Sequence, residues 1–400
     1  MSSPRAVVAL LGAVVVLLLG LAPPALAAPS AAPAQGACPG AAEPGPAVDS
    51  SEVPEPGQTT PPPLPVPDPP VGGAAMGTCG VVAPAGSSAP PAVDVESYVL
   101  ADLDSGQVLA AKVPHARLRP ASTLKTLTAL LFARQVPMNE VITGTQDDAN
   151  QEGSRVGIGP GGQYTAQQLL DGLILESGND VAHALAVRLT GSVPATIDEM
   201  NRTAASIGAL DTRAASPSGL DGPGMSTSAY DLASIFRIAM REPPFAQAVG
   251  TRQIPFPGFG PVPGFVVSNE NKIFQRFPGE AIGGKTGFTN DARHTYIGAV
   301  NRDGRRLVAV LVRGEQRPVT MVDKAGTLLD WGFAVAPGKA VGQLTDAAPA
   351  AAGATGAPAT LDPVGASGQA TASRWSTPLL ITGVVVLALL VAAVRVRSRR

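Results

Sequence analysis

Long apolar runs without a charge lie near the two ends of this chain, over Ala6–Leu21 and Pro378–Val394. Arg5 precedes the first run, and Ala25-Leu26-Ala27 follows it with small residues spaced for a signal peptidase. That pattern predicts a secretory signal over residues 1–27. The second run is about 17 residues long, the short limit for crossing a bilayer. Arg395, Arg397, Arg399 and Arg400 follow it. It predicts a transmembrane anchor over 378–394, with residues 395–400 a basic tail held in the cytoplasm. Between the ends, helix and strand periodicity is confined to about 94–342. Residues 28–93 are rich in Pro and Ala, with Pro-Pro-Pro-Leu-Pro-Val-Pro-Asp-Pro-Pro at 61–70, and residues 343–377 are rich in Ala, Gly and Thr. Neither tract carries enough apolar side chain to offset the entropy of ordering it, so both are expected to be unpacked linkers.

Within 94–342, Ser97–Ala101 and Gln107–Ala110 flank Asp104-Ser105-Gly106 and predict a β-hairpin. Helical spacing follows from about Ser122 to Arg134, with Leu124, Leu127, Leu130 and Leu131 as a buried stripe. Further helices are expected over Ala166–Glu176, Asp180–Thr190, Thr196–Ile207 and Thr227–Met240, with Asn179 a candidate cap for the second of these. Strand patterning returns after Gly283-Gly284, and His294–Val300 and Leu307–Val312 are joined by the turn Asn301–Gly304. A last helix is expected over Met321–Phe333. Strands at both ends with helices between predict an α/β (α+β) domain: one sheet closed by both termini, with a helical lobe inserted.

Composition sharpens this picture in two places. Forty-five Gly and 40 Pro are too many for a uniformly packed chain and agree with the linker tracts. A net charge of −2 and 4% aromatic residues leave no footprint for nucleic acid. Cys38 and Cys79 are the only cysteines, both in the Pro-rich tract, and in an exported chain they are expected to pair. His115, His183 and His294 have no metal-like spacing and no evident partner, so they read as structural, and no metal or other cofactor is implied. Asp104, Asp171 and Asp231 read as turn or cap residues.

The chemistry lies in three short stretches. Ser122-Thr123-Leu124-Lys125 places a hydroxyl and an amine three residues apart, on one helix face. A neutral lysine can take the proton of such a serine, which makes the pair a nucleophile and its base. Bringing a lysine from about 10.4 to about 7 takes roughly 4–5 kcal/mol against its charged form. Burial and a second cation both push that way. Ser177-Gly178-Asn179, between two helices, offers a proton relay and an amide. Lys285-Thr286-Gly287, in a strand, offers positive potential, a hydroxyl donor and room for a substrate backbone.

In this order, Ser-X-X-Lys, Ser-X-Asn and Lys-Thr-Gly resemble the penicillin-binding protein and serine β-lactamase superfamily, over about 94–340. The Ser-Gly-Asn middle motif, Ser216-Pro217-Ser218-Gly219-Leu220-Asp221 and Gly284–Thr289 look like the low-molecular-mass D-alanyl-D-alanine carboxypeptidases, actinobacterial members in particular. The resemblance implies a β-lactamase/transpeptidase-like fold, an antiparallel sheet flanked by helices. It implies an acyl-enzyme on Ser122, Lys125 as base, and Ser177 relaying a proton to the departing D-alanine. Asn179 would bind the peptide, Lys285 and Thr286 the terminal carboxylate. Gly287 would admit the substrate backbone, and the N–H groups of Ser122 and Phe288 would form the oxyanion hole. Arg317 is a looser candidate for the carboxylate. The implied partners are peptidoglycan stem peptides, with β-lactams as inhibitors. A β-lactamase would need a deacylating carboxylate, for which Glu199 is the loose candidate. A β-lactam-sensing receptor would need a large partner region, and only six residues follow the anchor run.

Overall fold

The strand Val95–Asp102 is buried from Ser97 to Ala101, on both faces. Such a strand needs apolar cover on each side, and that sets the layering. The computed structural model describes residues 38–347. Its strands are β1 (Val81–Val82), β2 (Val95–Asp102), β3 (Gln107–Lys112), β4 (Val141–Thr143), β5 (Gln163–Thr165), β6 (Gln253–Phe256), β7 (Phe265–Ser268), β8 (Ala281–Thr289), β9 (Arg293–Arg302), β10 (Arg305–Gly314) and β11 (Gly342–Gln343). The main sheet runs β1–β3–β2–β10–β9–β8, with β11 also on β3, and every pairing is antiparallel. The expected closure by both ends of the domain is the β2–β10 pairing, with Val99 opposite Val310.

The helices are α1 (Lys125–Gln135), α2 (Gln146–Ala149), α3 (Ala166–Leu175), α4 (Asn179–Thr190), α5 (Val193–Ser206), α6 (Ala229–Ala239), α7 (Pro243–Gly250), α8 (Ile273–Arg276) and α9 (Met321–Ala334). Side chains with polar oxygens start several of them: Thr165 and Gln168 form a capping box on α3, Ser228 accepts from the Asp231 N–H on α6, and Thr320 from that of Asp323 on α9. Alternation along the strands separates two cores. Val99, Ala101, Ile297, Val308 and Val310 face the larger one, with α1, α3, α4 and α6. Tyr98, Leu100, Leu307 and Leu311 face α9 through Met321, Ala325, Leu328 and Leu329. Helix α1 differs from the expected one-sided stripe: every residue from Lys125 to Phe132 is buried, because other helices pack around it.

Two expectations fail at the linkers. The Pro-rich tract, although mostly exposed, is fastened to the domain at several points between residues 38 and 93. Its anchor is Arg117, buried, whose guanidinium donates to the backbone oxygens of Ala42 (2.7 Å), Leu64 and Pro65 (2.7 Å). Val71 and Met76 join the larger core, and β1 adds to the sheet edge. The tract is held largely through its own carbonyls, which no hydrophobic pattern announces. On the other side the domain runs past 342: Leu344 is buried, and Asp346 pairs with Arg241 at 2.7 Å and with Arg237. Cys38 and Cys79 are bonded, as expected. The signal sequence, the anchor and the basic tail lie outside the described residues. Among the described residues no helix is long and apolar enough to cross a membrane.

The bridge closes a loop of 41 residues in sequence separation. Replacing both cysteines by serine is expected to lower stability by about 3 kcal/mol, the usual effect of freeing such a loop, measurable as a lower urea midpoint with a larger m-value, because the unfolded chain is then less compact.

Candidate active site

Pro120 leads into a 3₁₀ turn, Ala121–Leu124, and α1 proper begins only at Lys125. Ala121 holds φ of +47°, a left-handed conformation that costs a non-glycine residue on the order of 1–2 kcal/mol. Side chains three apart nearly eclipse in a 3₁₀ turn, so the Ser122 hydroxyl comes over the lysine amine. Ser122 is therefore not an N-cap. Three contacts hold the strained turn. Thr295 Oγ1 donates to the Pro120 oxygen at 2.8 Å. Gly219 presses on the Ala121 carbonyl, where a Cβ would come within 2.0 Å. Gly287 of β8 lies against the Ser122 nitrogen, where a Cβ would come within 2.8 Å.

Lys125 is fully buried. Its Nζ lies 2.8 Å from Ser122 Oγ, 2.7 Å from Asn179 Oδ1 and 2.7 Å from the Ser218 carbonyl. The last two partners can only accept. A neutral amine satisfies all three contacts by donating twice and receiving the Ser122 proton on its lone pair. Burial holds the Lys125 pKa well below the ordinary lysine value; the nearby Lys285 charge adds to this, against Asp180 and Glu270.

Lys285 lies on β8 opposite Ile297 and is buried. Its Nζ donates to the Thr286 oxygen at 2.9 Å. Burial brings its pKa down to about 8, with Glu270 opposing the shift.

Ser177 adopts φ of +61° between α3 and α4. Gly178 is the cap position of α4, and Asn179 is its first helical residue, so Asn179 is not the cap. A Cβ on Gly178 would meet Asp180 Oδ1 at 2.6 Å and Val156 Cγ2 at 2.7 Å, which excludes a side chain in the middle of this motif. The Asn179 amide is engaged at both ends: Oδ1 accepts from Lys125, and Nδ2 donates to the Glu152 oxygen at 2.6 Å. Its first partner is thus the lysine rather than a substrate.

A cavity of about 450 Å³ opens over Ser122, Ser177, Thr286, Gly287 and Phe288. Lys125, Asn179 and Lys285 are not among its lining residues. Arg317 is exposed on the segment after β10 and does not line it, although its neighbour Gln316 does.

Several contributors escaped sequence reasoning. Ser154, Glu270 and His294 line the cavity, and the His294 ring lies 4.6 Å from that of Phe288. Asp180, buried, accepts from the N–H groups of Val156 (3.0 Å), Gly157 (2.7 Å) and Ile158 (3.1 Å) and so fixes the loop that carries Ser154. An acidic residue directly after a Ser-X-Asn triplet was the available signal. His115 and His183 do have partners, Asp211 and Asp148, each at 2.6 Å. Asp231 is not a cap but lies in the first turn of α6, where its carboxylate accepts from the Asp211 N–H (2.8 Å) and Thr212 Oγ1 (2.7 Å), and burial, then the Asp211 charge, push its pKa up. Asp171 is likewise buried within α3, which pushes it up to about 6.

A family model for D-alanyl-D-alanine carboxypeptidases matches residues 85–316. The chain belongs to the D-alanyl-D-alanine carboxypeptidase family. Among the relatives of this family, DacB2 of Mycobacterium tuberculosis is 45% identical over 267 residues, which is 66% of this chain and 90% of that one. DacF of Bacillus subtilis is 29% identical over 245 residues, 60% of this chain and 62% of the relative. The crystal structure of a D-alanyl-D-alanine carboxypeptidase from M. tuberculosis H37Rv superposes with a TM-score of 0.63 at 44% identity, covering 66% of this chain and 100% of that chain. The Streptomyces K15 DD-transpeptidase gives 0.58 at 25% identity, covering 62% of this chain and 100% of that one.

Within this family fold, the close approach of β8 to the Ser122 turn is testable. Gly287→Ala would place a Cβ 2.4 Å from Thr295 Oγ1 and 2.8 Å from the Ser122 nitrogen. It is expected to lower stability by about 1–3 kcal/mol, the cost of overpacking, and to slow covalent labelling by a fluorescent penicillin.

Proposed function

We propose that this enzyme is an exported, membrane-anchored serine-type D-alanyl-D-alanine carboxypeptidase that removes the terminal D-alanine of peptidoglycan pentapeptide stems. The single observation that carries the reading is the buried amine of Lys125, 2.8 Å from Ser122 Oγ with its two other contacts filled by acceptors. Ser122 Oγ attacks the penultimate D-alanyl carbonyl as its proton passes to Lys125. The N–H groups of Ser122 and Phe288 stabilise the oxyanion. Ser177 delivers the proton to the departing amine, and the ester on Ser122 is then hydrolysed by water. Lys285 and Thr286 receive the terminal carboxylate, and Gly287 leaves space for the substrate backbone. Asn179 holds Lys125 in place, with one Nδ2 hydrogen left for substrate. β-Lactams would acylate the same serine. The apolar runs Ala6–Leu21 and Pro378–Val394 support export and anchoring on the extracytoplasmic face of the cell membrane.

The β-lactamase alternative loses its candidate base: Glu199 pairs with Arg202 at 2.6 Å on α5 and does not line the cavity.

Release of D-alanine from a peptide ending in D-Ala-D-Ala tests the reading. The wild-type chain is expected to release it, and Ser122→Ala to lose both release and penicillin labelling. Labelling that survives in Ser122→Ala, or rapid penicillin turnover without D-alanine release, would sink it. Because residues 38–93 are fastened to the domain at several points, the protein assayed should retain them.

The two lysines also set a pH profile. The base must be neutral, so acylation rises with pH through the depressed Lys125 value. Carboxylate binding needs Lys285 charged, so the rate falls as pH passes about 8, where Lys285 loses its proton. Lys285→Gln removes a cation that depresses Lys125. Its rising limb is therefore expected at higher pH and its falling limb to vanish, read from penicillin acylation rates across the neutral and alkaline range.

A further inference from the structure

Residues 48–52 of the Pro-rich tract lie ahead of the stretch matched to the family, which begins at residue 85. They touch two turns that are far apart in sequence. Glu52 meets Arg119 with both carboxylate oxygens, accepting from Nε and, at 2.7 Å, from Nη2. Asp291, between β8 and β9, accepts from the Val48 N–H and, at 3.2 Å, from Ser51 Oγ. Arg119 is 4% exposed and Asp291 1%. Among the described residues Glu52 is the only carboxylate paired with Arg119, so a buried guanidinium is matched from outside the catalytic fold. A bidentate Arg–carboxylate pair fixes direction as well as distance.

The placement matters more than the count of bonds. Arg119 is three residues before Ser122, just ahead of the strained Ala121. Asp291 is three residues after Phe288. Ser122 and Phe288 both line the cavity, and none of residues 48–52 does. The tract's other anchors, from Arg117 to Ala42 and Pro65 and from Arg213 Nη1 to the Pro62 oxygen at 2.9 Å, lie on residues that do not line it. We propose that residues 48–52 are a positioning clamp for acyl transfer: Glu52 through Arg119, and Val48 and Ser51 through Asp291, set the spacing between the Ser122 turn and the Phe288 strand. The clamp rests on the reading of Ser122 as nucleophile. It touches no substrate, so it acts on the rate of the chemical step rather than on ligand affinity.

The test uses the full chain and stopped-flow penicillin acylation, resolved into a binding constant and a first-order acylation rate, with thermal melting measured alongside. Glu52→Gln is expected to slow acylation about tenfold, since an ångström of misplacement can cost up to a hundredfold, with binding changed less than about twofold. Arg213→Ala loosens the same tract elsewhere and is expected to lower the melting temperature by as much or more while keeping the wild-type acylation rate. Glu52→Asp, which retains the charge, should recover part of the loss. Ser51→Ala gives the same readout if Glu52→Gln does not fold. A wild-type acylation rate in both Glu52→Gln and Ser51→Ala overturns the clamp. So does a loss of rate in Arg213→Ala that matches Glu52→Gln. Labelling of Ser122→Ala would instead overturn the nucleophile, leaving the two failures distinct.

Discussion

A buried amine whose direct contacts are all neutral groups is the constraint on which this site depends. Charging Lys125 in place would put a cation beside a second buried lysine, away from water. The interior therefore favours the neutral form, and the neutral form is the one that can take a proton from Ser122. The three contacts at Nζ come from three separate parts of the chain: the 3₁₀ turn, the start of α4, and the Ser218 segment. Much of the local architecture serves to bring these together. α1 is buried all around, Gly219 and Gly287 lack side chains where backbone must approach backbone, and Asp180 pins the neighbouring loop through its N–H groups.

The second lysine plays the opposite part. Lys285 is also buried, yet its pKa falls only to about 8, whereas the neighbouring Lys285 charge adds to burial in pushing Lys125 well below the ordinary lysine value. Two groups of one chemical type are thus pushed apart by environment, the arrangement that separates a base from an electrostatic anchor. Glu270, at the cavity, works in favour of charge on both. What separates them is that Lys125 also feels the Lys285 charge, while Lys285 is shifted by burial alone, opposed by Glu270.

The sheet and the long helices were legible because periodicity in sequence maps directly onto faces: Val99 and Leu100 point to opposite cores, as alternation requires. The three motifs were legible because their residue types are chemically unusual together, and the fold brings Ser122, Ser177, Thr286, Gly287 and Phe288 to one cavity. What stayed hidden was held by backbone or by distance. The tract 38–93 is fastened by arginines reaching its carbonyls, an interaction its own composition does not encode. His115 finds Asp211 at a separation of 96 residues and His183 finds Asp148 at 35, beyond any local pattern. Asn179 looked like a cap because Asn often is one; the requirement to reach Lys125 places it inside the helix instead.

The most direct measurement is the titration of Lys125 itself, by NMR of the chain labelled with ¹³Cε-lysine, with the resonance assigned through Lys125→Arg. An uncharged base in the folded enzyme requires that resonance to titrate well below the other lysines, and to move upward in Lys285→Gln, where one depressing cation is gone. A Lys125 resonance that titrates with the surface lysines, near 10.4, and does not respond to Lys285→Gln, would contradict a neutral lysine as the base for Ser122.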